Sequence, residues 1–180
     1  MISPHTNVVL VGFMGTGKSS VGKLVAQRLG FQLVDNDSII VDRAGMEITE
    51  IFAKFGESTF RDYETRALES LVHLNRCVIS TGGGAVLREG NRALLKEIGL
   101  VVLLTAREEV IYDRVARSTK RPLLSTGDPR ATISQILAER TSEYAAAAQV
   151  TVDTSDLTRE QAAEAVISEA KRAFGWTHAH

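Results

Sequence analysis

Cysteine, proline and long apolar runs are all scarce in this chain. It has 180 residues with one cysteine and three prolines. The single cysteine, Cys77, excludes an intrachain disulfide, and its place in an apolar run predicts a small buried side chain rather than a catalytic thiol. No apolar run approaches the ~18 residues that span a membrane, and the N-terminus lacks the features of a signal peptide. We therefore expect a cytoplasmic protein with no membrane contact.

An excess of charge of either sign is also missing. The chain has 21 basic and 22 acidic residues, which leaves a net charge of −1. Nucleic acids and anionic membranes attract proteins through a basic excess, so we expect small ligands and no nucleic acid. The length suits one core, and we expect a single domain over residues 1–180 that works as a monomer.

Short apolar runs alternate with longer amphipathic stretches along the whole chain. This alternation predicts an α/β fold in three layers, with a five-stranded parallel sheet between helices and ligands at the carboxyl ends of the strands. Asp128 with Pro129, and Thr158 with Gln161, are typical helix starts. The five predicted strands are residues 8–11, 31–34, 77–80, 100–104 and 150–152.

The first strand leads straight into the strongest motif of the chain. Residues 12–19 read G-F-M-G-T-G-K-S, a complete G-x-x-x-x-G-K-[ST] phosphate loop. Backbone N–H groups of such a loop point at phosphate oxygens, Lys18 reaches the β- and γ-phosphates, and the Ser19 hydroxyl takes a Mg²⁺ position. A helical pattern follows, so the positive end of a helix adds to the site. The motif predicts a protein that holds a nucleoside triphosphate.

Two aspartates and three glycines follow the next two predicted strands. Asp35 and Asp37 end the second predicted strand, and alternation sends both carboxylates to the side of the triphosphate. One can help to hold hydrated Mg²⁺ and the other can receive a proton from a hydroxyl group. Residues 82–84 are all glycine, which allows close approach to a ligand, and their N–H groups could bind a carboxylate or the γ-phosphate.

Arginines at three further places complete the candidate site. Arg61 and Glu64 are one helical turn apart, a spacing that a surface ion pair would share. A stretch without periodicity, residues 117–127, contains Arg117, Lys120 and Arg121 and suits a lid that closes over the phosphates. Arg140 falls on an apolar helix face, where a cation needs an anionic partner.

The order and spacing of these motifs resemble the shikimate kinase family over nearly the whole chain. Beside the phosphate loop, the resemblance rests on Asp35-x-Asp37, Phe60-Arg61-x-x-Glu64, Gly82-Gly83-Gly84-Ala85-Val86, Arg121-Pro122-Leu123-Leu124, Arg140 with Tyr144, and Val152-Asp153-Thr154. One departure is the segment from Arg140 to Tyr144, which lacks the proline that the family often has there. The helix that presents Arg140 is therefore a place where this chain can differ from the family.

The resemblance implies an activity and a role for each site residue. The activity is transfer of the ATP γ-phosphate to the 3-hydroxyl of shikimate, with Mg²⁺, under a mobile lid of about residues 115–128 and with an acceptor region of about 36–64. Its catalytic residues would be Lys18, Asp37 and Arg121. Nucleotide would be bound by Gly15, Thr16, Gly17, Lys18, Ser19, Ser20, Arg114 and Arg121. Shikimate would be bound by Asp37, Arg61, Gly83, Gly84 and Arg140, with Mg²⁺ on Ser19 and, through water, Asp35.

Two other functions stay open at this point, and a third is disfavoured. A kinase for another hydroxylated acid, such as an amino-shikimate or a sugar acid, would use the same residue types. A nucleotide-binding regulator without catalysis would keep the phosphate loop. A GTPase is disfavoured because the guanine-reading Asn-Lys-x-Asp motif is absent from the sequence.

Overall fold

The computed structural model describes residues 6–116 and 128–176. Strands and helices alternate through these residues, as the sequence predicts, and three strands begin or end one residue away from the predicted position. The strands are β1 (Val8–Val11), β2 (Gln32–Asp35), β3 (Cys77–Ser80), β4 (Leu100–Thr105) and β5 (Val150–Asp153). The helices are α1 (Lys18–Leu29), α2 (Asn36–Ala44), α3 (Ile48–Glu69), α4 (Glu89–Ile98), α5 (Glu108–Ala116), α6 (Pro129–Ala147) and α7 (Arg159–Phe174).

The five strands form one sheet in the order β2-β3-β1-β4-β5. Every neighbouring pair is parallel, which confirms the predicted sheet. From β1 the chain crosses to β2, returns to β3 beside β1, and then continues on the other side of β1. The direction in which successive strands are added to the sheet therefore reverses at β1, and the loops after the neighbouring strands β1 and β3 leave the sheet side by side. Such a switch point is where open α/β sheets bind ligands.

Both faces of the sheet are covered by helices. Val9 and Val11 pack on one face in a cluster with Leu95 of α4 and Ile133 of α6. Val8 and Leu10 point to the other face, into a cluster built largely from α1 and α7. Successive side chains of a strand point to opposite faces, and here both faces are covered. Every side chain of β1 is therefore buried, which is why β1 is apolar throughout. Cys77 is buried in the first cluster, as predicted.

A third, smaller cluster lies between α2 and α3, away from the two faces of the sheet. It contains Ile40, Ile51, Phe60 and Ala67. Helix α3 bends at Gly56, whose φ of 78° lies in the left-handed region that glycine tolerates. The bend separates the start of α3 from its second half. This small cluster therefore fixes α2 and the second half of α3, which carry two of the predicted acceptor residues.

Two predicted helix starts are confirmed. The Asp128 side chain accepts a hydrogen bond from the Arg130 backbone at 2.9 Å, with Pro129 as the first residue of α6. Thr158 and Gln161 form the capping box of α7. The predicted lid residues Arg117, Lys120 and Arg121 lie outside the described residues. Among the helices of the described ranges, none is long and apolar enough to cross a membrane.

Candidate active site

An open cleft of about 1130 Å³ lies at the carboxyl ends of β1 and β3. Its walls are the phosphate loop, the starts of α2 and α3, the glycine turn after β3, and the loop before α7. One connected space therefore touches the nucleotide motif and part of the predicted acceptor site. The predicted site residues on its wall are Gly15, Thr16, Gly17, Lys18, Ser19, Ser20, Asp37, Gly83 and Arg114.

The phosphate loop is held in shape by its own hydrogen bonds. The Lys18 ammonium donates to the carbonyls of Gly12 at 2.7 Å and Phe13 at 2.9 Å. The Thr16 hydroxyl donates to the same Phe13 carbonyl at 2.8 Å. Helix α1 begins after Gly17 with no capping side chain. The residues of its first turn line the cleft, and its first N–H groups have no side-chain cap, an arrangement suited to binding phosphate.

Arg114 joins the phosphate loop to the loop that follows β5. Its guanidinium donates to the Gly15 carbonyl at 3.2 Å, and to the Thr154 hydroxyl at 2.9 Å and carbonyl at 2.7 Å. The buried Thr154 hydroxyl has one proton to donate, and the carbonyls of Thr105 at 2.9 Å and Thr16 at 3.1 Å are both within reach of it. Because these bonds use the edge of the guanidinium, its flat faces remain the surface on which a base would stack. Only the family motif indicates Thr154 in the sequence, because its bridging bonds join residues that are far apart in the chain.

The prediction that Asp35 and Asp37 both end an extended strand was wrong. Asp37 does not continue the strand: β2 ends at Asp35, and Asp37 lies in the first turn of α2. The Asp35 carboxylate caps that helix by accepting from the Asp37 backbone N–H at 2.9 Å. Helical geometry rather than strand alternation thus sets the direction of Asp37. Its carboxylate lines the cleft, whereas Asp35 is not among the cleft-lining residues.

Burial and the neighbouring Asp35 charge raise the pKa of Asp37, while the Lys18 and Arg61 charges act in the opposite direction. Its Oδ1 is buried and has no hydrogen-bond partner among the described residues. A carboxylate with an unfilled acceptor position beside two cations is suited to accept a proton from a hydroxyl group in the cleft.

The three glycines after β3 each lie against a different predicted site residue. A Cβ on Gly82 would stand 2.8 Å from Asp37 Oδ1, and a Cβ on Gly84 would overlap the Arg61 guanidinium. Gly83 contacts Arg140, whose guanidinium donates to the Gly83 carbonyl at 3.4 Å. No acceptor for the N–H groups of Gly83 and Gly84 lies within the described parts of the chain. These close approaches explain three successive glycines, and the turn gathers side chains from α2, α3 and α6.

Arg61 and Glu64 form a buried pair, not the surface pair that their spacing would equally allow. Their side chains are 11% and 0% exposed, and the Arg61 guanidinium donates to Glu64 Oε2 at 2.9 Å. Burial raises the pKa of Glu64, and the Arg61 charge opposes that rise. Arg61 also bonds to Glu57 at 3.0 Å on its exposed side. Two glutamates thus hold the guanidinium against Gly84.

Helix α6 runs without interruption through the segment where the sequence lacks the family's proline. Arg140 and Tyr144 lie four residues apart, on the same face of α6. The Tyr144 hydroxyl donates to the Gly83 carbonyl at 2.5 Å, so both side chains meet at one atom. Only the family motif indicates Tyr144 in the sequence, and this contact was not predicted.

The oxygen atoms around the cleft fit Mg²⁺ better than a softer metal. No group of three His, Cys, Asp or Glu side chains able to hold a metal ion occurs in residues 6–116 or 128–176. Mg²⁺ in kinases is held largely by phosphates and water with one or two protein oxygens, so a closed protein cage is not required. Ser19 brings such an oxygen to the cleft wall. Asp35 lies two residues before Asp37, and its role through water remains a prediction.

The fold and this site together define the class of P-loop small-molecule kinases, in which a phosphate loop faces a second pocket for the acceptor. A family model described as shikimate kinase matches residues 14–171. The shikimate kinase of Thermodesulfovibrio yellowstonii is 49% identical over 92% of this chain and 95% of its own length.

Solved structures agree with this result. A shikimate kinase from Acinetobacter baumannii in complex with shikimate has a TM-score of 0.84 and 32% identity, and the match covers 98% of this chain and 97% of that one. A gluconokinase from Sinorhizobium meliloti covers 99% of this chain and 100% of its own, at 18% identity and a TM-score of 0.59, and shares the fold alone. The chain belongs to the shikimate kinase family.

Proposed function

We propose that this enzyme transfers the γ-phosphate of ATP to the 3-hydroxyl of shikimate, giving shikimate 3-phosphate and ADP. The observation that carries the proposal is the single cleft with two unlike ends. The phosphate loop lines one end, and Asp37 with the glycine turn lines the other. Arg61 and Arg140 contact that turn from two different helices, which supports an acceptor with an anionic group.

The nucleotide end binds and orients the triphosphate. The N–H groups at the start of α1 and the Lys18 ammonium bind its β- and γ-phosphates, and Arg114 supplies a flat face for the adenine. Mg²⁺, held by Ser19 and through water by Asp35, would neutralise phosphate charge when bound. Phosphoryl transfer passes through a loose transition state, so cations and positioning contribute more than a strong base.

The acceptor end orients the alcohol. The guanidinium groups of Arg61 and Arg140 bind the shikimate carboxylate, and N–H groups of Gly83 and Gly84 add donors beside it. Asp37 Oδ1 accepts the proton of the attacking hydroxyl as the oxygen–phosphorus bond forms. Lys18 and Arg61 favour the ionised form of Asp37 that this step requires, against the burial that raises its pKa.

Three finer expectations belong to the same proposal. Arg121 would bring a further cation to the migrating phosphoryl group, as an arginine finger does. The enzyme would act in the cytoplasm, where ATP is available, and as a monomer, since the cleft is formed within one chain.

A coupled assay of ADP release tests the proposal against its rivals. The enzyme is supplied with ATP, Mg²⁺ and one acid at a time: shikimate, amino-shikimate, gluconate or no acceptor. We expect turnover with shikimate at a kcat/KM at least about 10²-fold above that with gluconate, because a mismatched polar acceptor leaves buried groups unpaired. Preference for another acid would favour a different acceptor. ATP binding without ADP release from any acid would favour a non-catalytic regulator.

A further inference from the structure

The carbonyl of Gly83 accepts hydrogen bonds from two side chains of the same helix, α6. The Tyr144 hydroxyl donates to it at 2.5 Å and Arg140 donates to it at 3.4 Å. The bond from Tyr144 is the shorter by a wide margin, and Arg140 is at the long limit of a hydrogen bond. The hydroxyl of Tyr144, rather than Arg140, is therefore the main restraint on this peptide group.

The orientation of that peptide group also sets a donor of the acceptor end. In a planar trans peptide the N–H of Gly84 points away from the C=O of Gly83. With the carbonyl directed at α6, the Gly84 N–H is directed away from α6. Gly84 is also the residue against which the Arg61 guanidinium lies. One hydroxyl thus orients a backbone donor and the surface that Arg61 contacts.

Tyr144 is well suited to act as a permanent donor. It is 5% exposed, and its ring belongs to the core cluster that includes Val11 and Ile133. Burial raises the pKa of Tyr144 to about 12, although the charge of Arg140, its hydrogen bond to the Tyr144 hydroxyl and the charge of Arg61 oppose that rise. The hydroxyl therefore keeps its proton at any working pH, while core packing holds the ring independently of the hydrogen bond.

We propose that Tyr144 is a positioning residue for the acceptor: its hydroxyl fixes the Gly83 carbonyl, and so aims the Gly84 N–H and leaves Arg140 available for the acceptor's carboxylate. Without that hydroxyl, Arg140 is the remaining donor to the Gly83 carbonyl within the described residues and is drawn toward it. This inference rests on the proposed function, because it assigns the Gly83–Gly84 peptide and Arg140 to the acceptor end.

The test compares Tyr144→Phe with Tyr112→Phe, a matched removal of a hydroxyl from α5. Tyr112 holds Arg130 over its ring at 4.1 Å, a contact that phenylalanine keeps. For Tyr144→Phe we expect KM for shikimate to rise about five- to tenfold, as the loss of one buried hydrogen bond would give. KM for ATP should change little, and the melting temperature should fall by only a few degrees, so that the variant stays folded in the assay. Tyr112→Phe should match the wild type in every measurement.

A purely structural role would give a different pattern. It predicts that Tyr144→Phe keeps the wild-type KM for shikimate, since the ring stays in the core, and that only Tyr144→Leu impairs the enzyme. An unchanged KM for shikimate in a well-folded Tyr144→Phe protein, or an equal rise in KM for ATP, would overturn the proposal.

A second measurement needs no acceptor and keeps the two hypotheses apart. The backbone amide signal of Gly84 in a ¹H–¹⁵N NMR spectrum reports the orientation of the Gly83 peptide group. We expect it to move in Tyr144→Phe and to stay in place in Tyr112→Phe. An unmoved signal overturns the role of Tyr144 even if shikimate is the substrate. A wild-type enzyme inactive on shikimate refutes the proposed function, while the Gly84 signal still decides whether Tyr144 fixes the turn.

Discussion

The two ends of the cleft are built in different ways. The nucleotide end is mostly one continuous segment, residues 12–20, held by hydrogen bonds between neighbours in the chain. The proposed acceptor end takes Asp37 from α2, Arg61 and Glu64 from α3, and Arg140 from α6. Asp37 lines the cleft, whereas the other three are not among its lining residues. These side chains meet only at the glycine turn after β3. The first end is local in sequence, and the second exists only when the chain is folded.

The two ends also differ in how well their buried polar atoms are paired. Asp37 Oδ1 and Glu64 Oε1 are buried without a hydrogen-bond partner in the described part of the chain, whereas the phosphate loop contributes no such atom. A buried polar atom without a partner destabilises a protein unless something else binds there. The unpaired atoms therefore make the acceptor end less stable, and a bound acceptor could supply the missing hydrogen bonds. Lower stability at a functional site is common in proteins.

Removal of the phosphate-loop cation gives the largest expected effect. Lys18→Ala should lower kcat by about 10³-fold or more, because it removes charge from the migrating phosphoryl group. Exposed Lys23 on α1 provides the control, and Lys23→Ala should keep wild-type kinetics. Steady-state assays of ADP release measure both. A loss under tenfold in Lys18→Ala would contradict the assignment of this residue.

Removal of the base is expected to have an equal or smaller effect. Asp37→Asn should lower kcat by about 10²–10⁴-fold, the usual contribution of a positioned general base, without weakening ATP binding. Single-turnover kinetics with calorimetry of nucleotide binding separate these effects. Two results would contradict this comparison between the two ends. One is that Asp37→Asn abolishes turnover while Lys18→Ala has no effect. The other is that Asp37→Asn weakens nucleotide binding.

Removal of an acceptor cation should act on KM. Arg61→Ala should raise KM for shikimate by about 10–100-fold, the range for charge-assisted hydrogen bonds, with little change in KM for ATP. It also leaves the buried Glu64 carboxylate without its cation, so the double variant Arg61→Ala/Glu64→Gln separates lost binding from lost stability. Arg66→Ala, an exposed change on the same helix, is the control. An effect on kcat alone would argue against the ground-state contact.

The smallest expected effect concerns stability and pH. Because the folded-state pKa of Asp37 is raised, the folded protein binds this proton more tightly than the unfolded chain. The stability associated with that proton is present at low pH and is lost as the pH rises through the raised pKa. Asp37→Asn should therefore raise the melting temperature at pH 8 and change it little at pH 4. A stabilisation that is greater at pH 4 would show that the pKa is not raised.

The difference between the two ends also explains what the sequence predicted. The phosphate loop was recognisable because its function depends on adjacent residues with fixed chemistry. The sheet was recognisable because strands buried on both faces are apolar throughout. Asp37 was identified correctly as a cleft residue but for a wrong geometric reason. The Asp35 side chain caps α2, so the chain turns into a helix where the prediction continued the strand.

Other features of the acceptor end are not encoded at neighbouring positions. The spacing of Arg61 and Glu64 is the same for an exposed and a buried pair, so only the packing of α3 against the glycine turn distinguishes them. The hydrogen bond from Tyr144 to Gly83 joins residues 61 positions apart. No local sequence pattern predicts such a contact.

Calorimetric titration of shikimate and of a non-hydrolysable ATP analogue into Lys18→Ala and Arg140→Ala is the most direct test of a cleft with two separable ends. We expect Lys18→Ala to lose nucleotide affinity and keep shikimate affinity, and Arg140→Ala to show the reverse. Parallel loss of both affinities in both variants, or unchanged shikimate binding by Arg140→Ala, would contradict this account of the site.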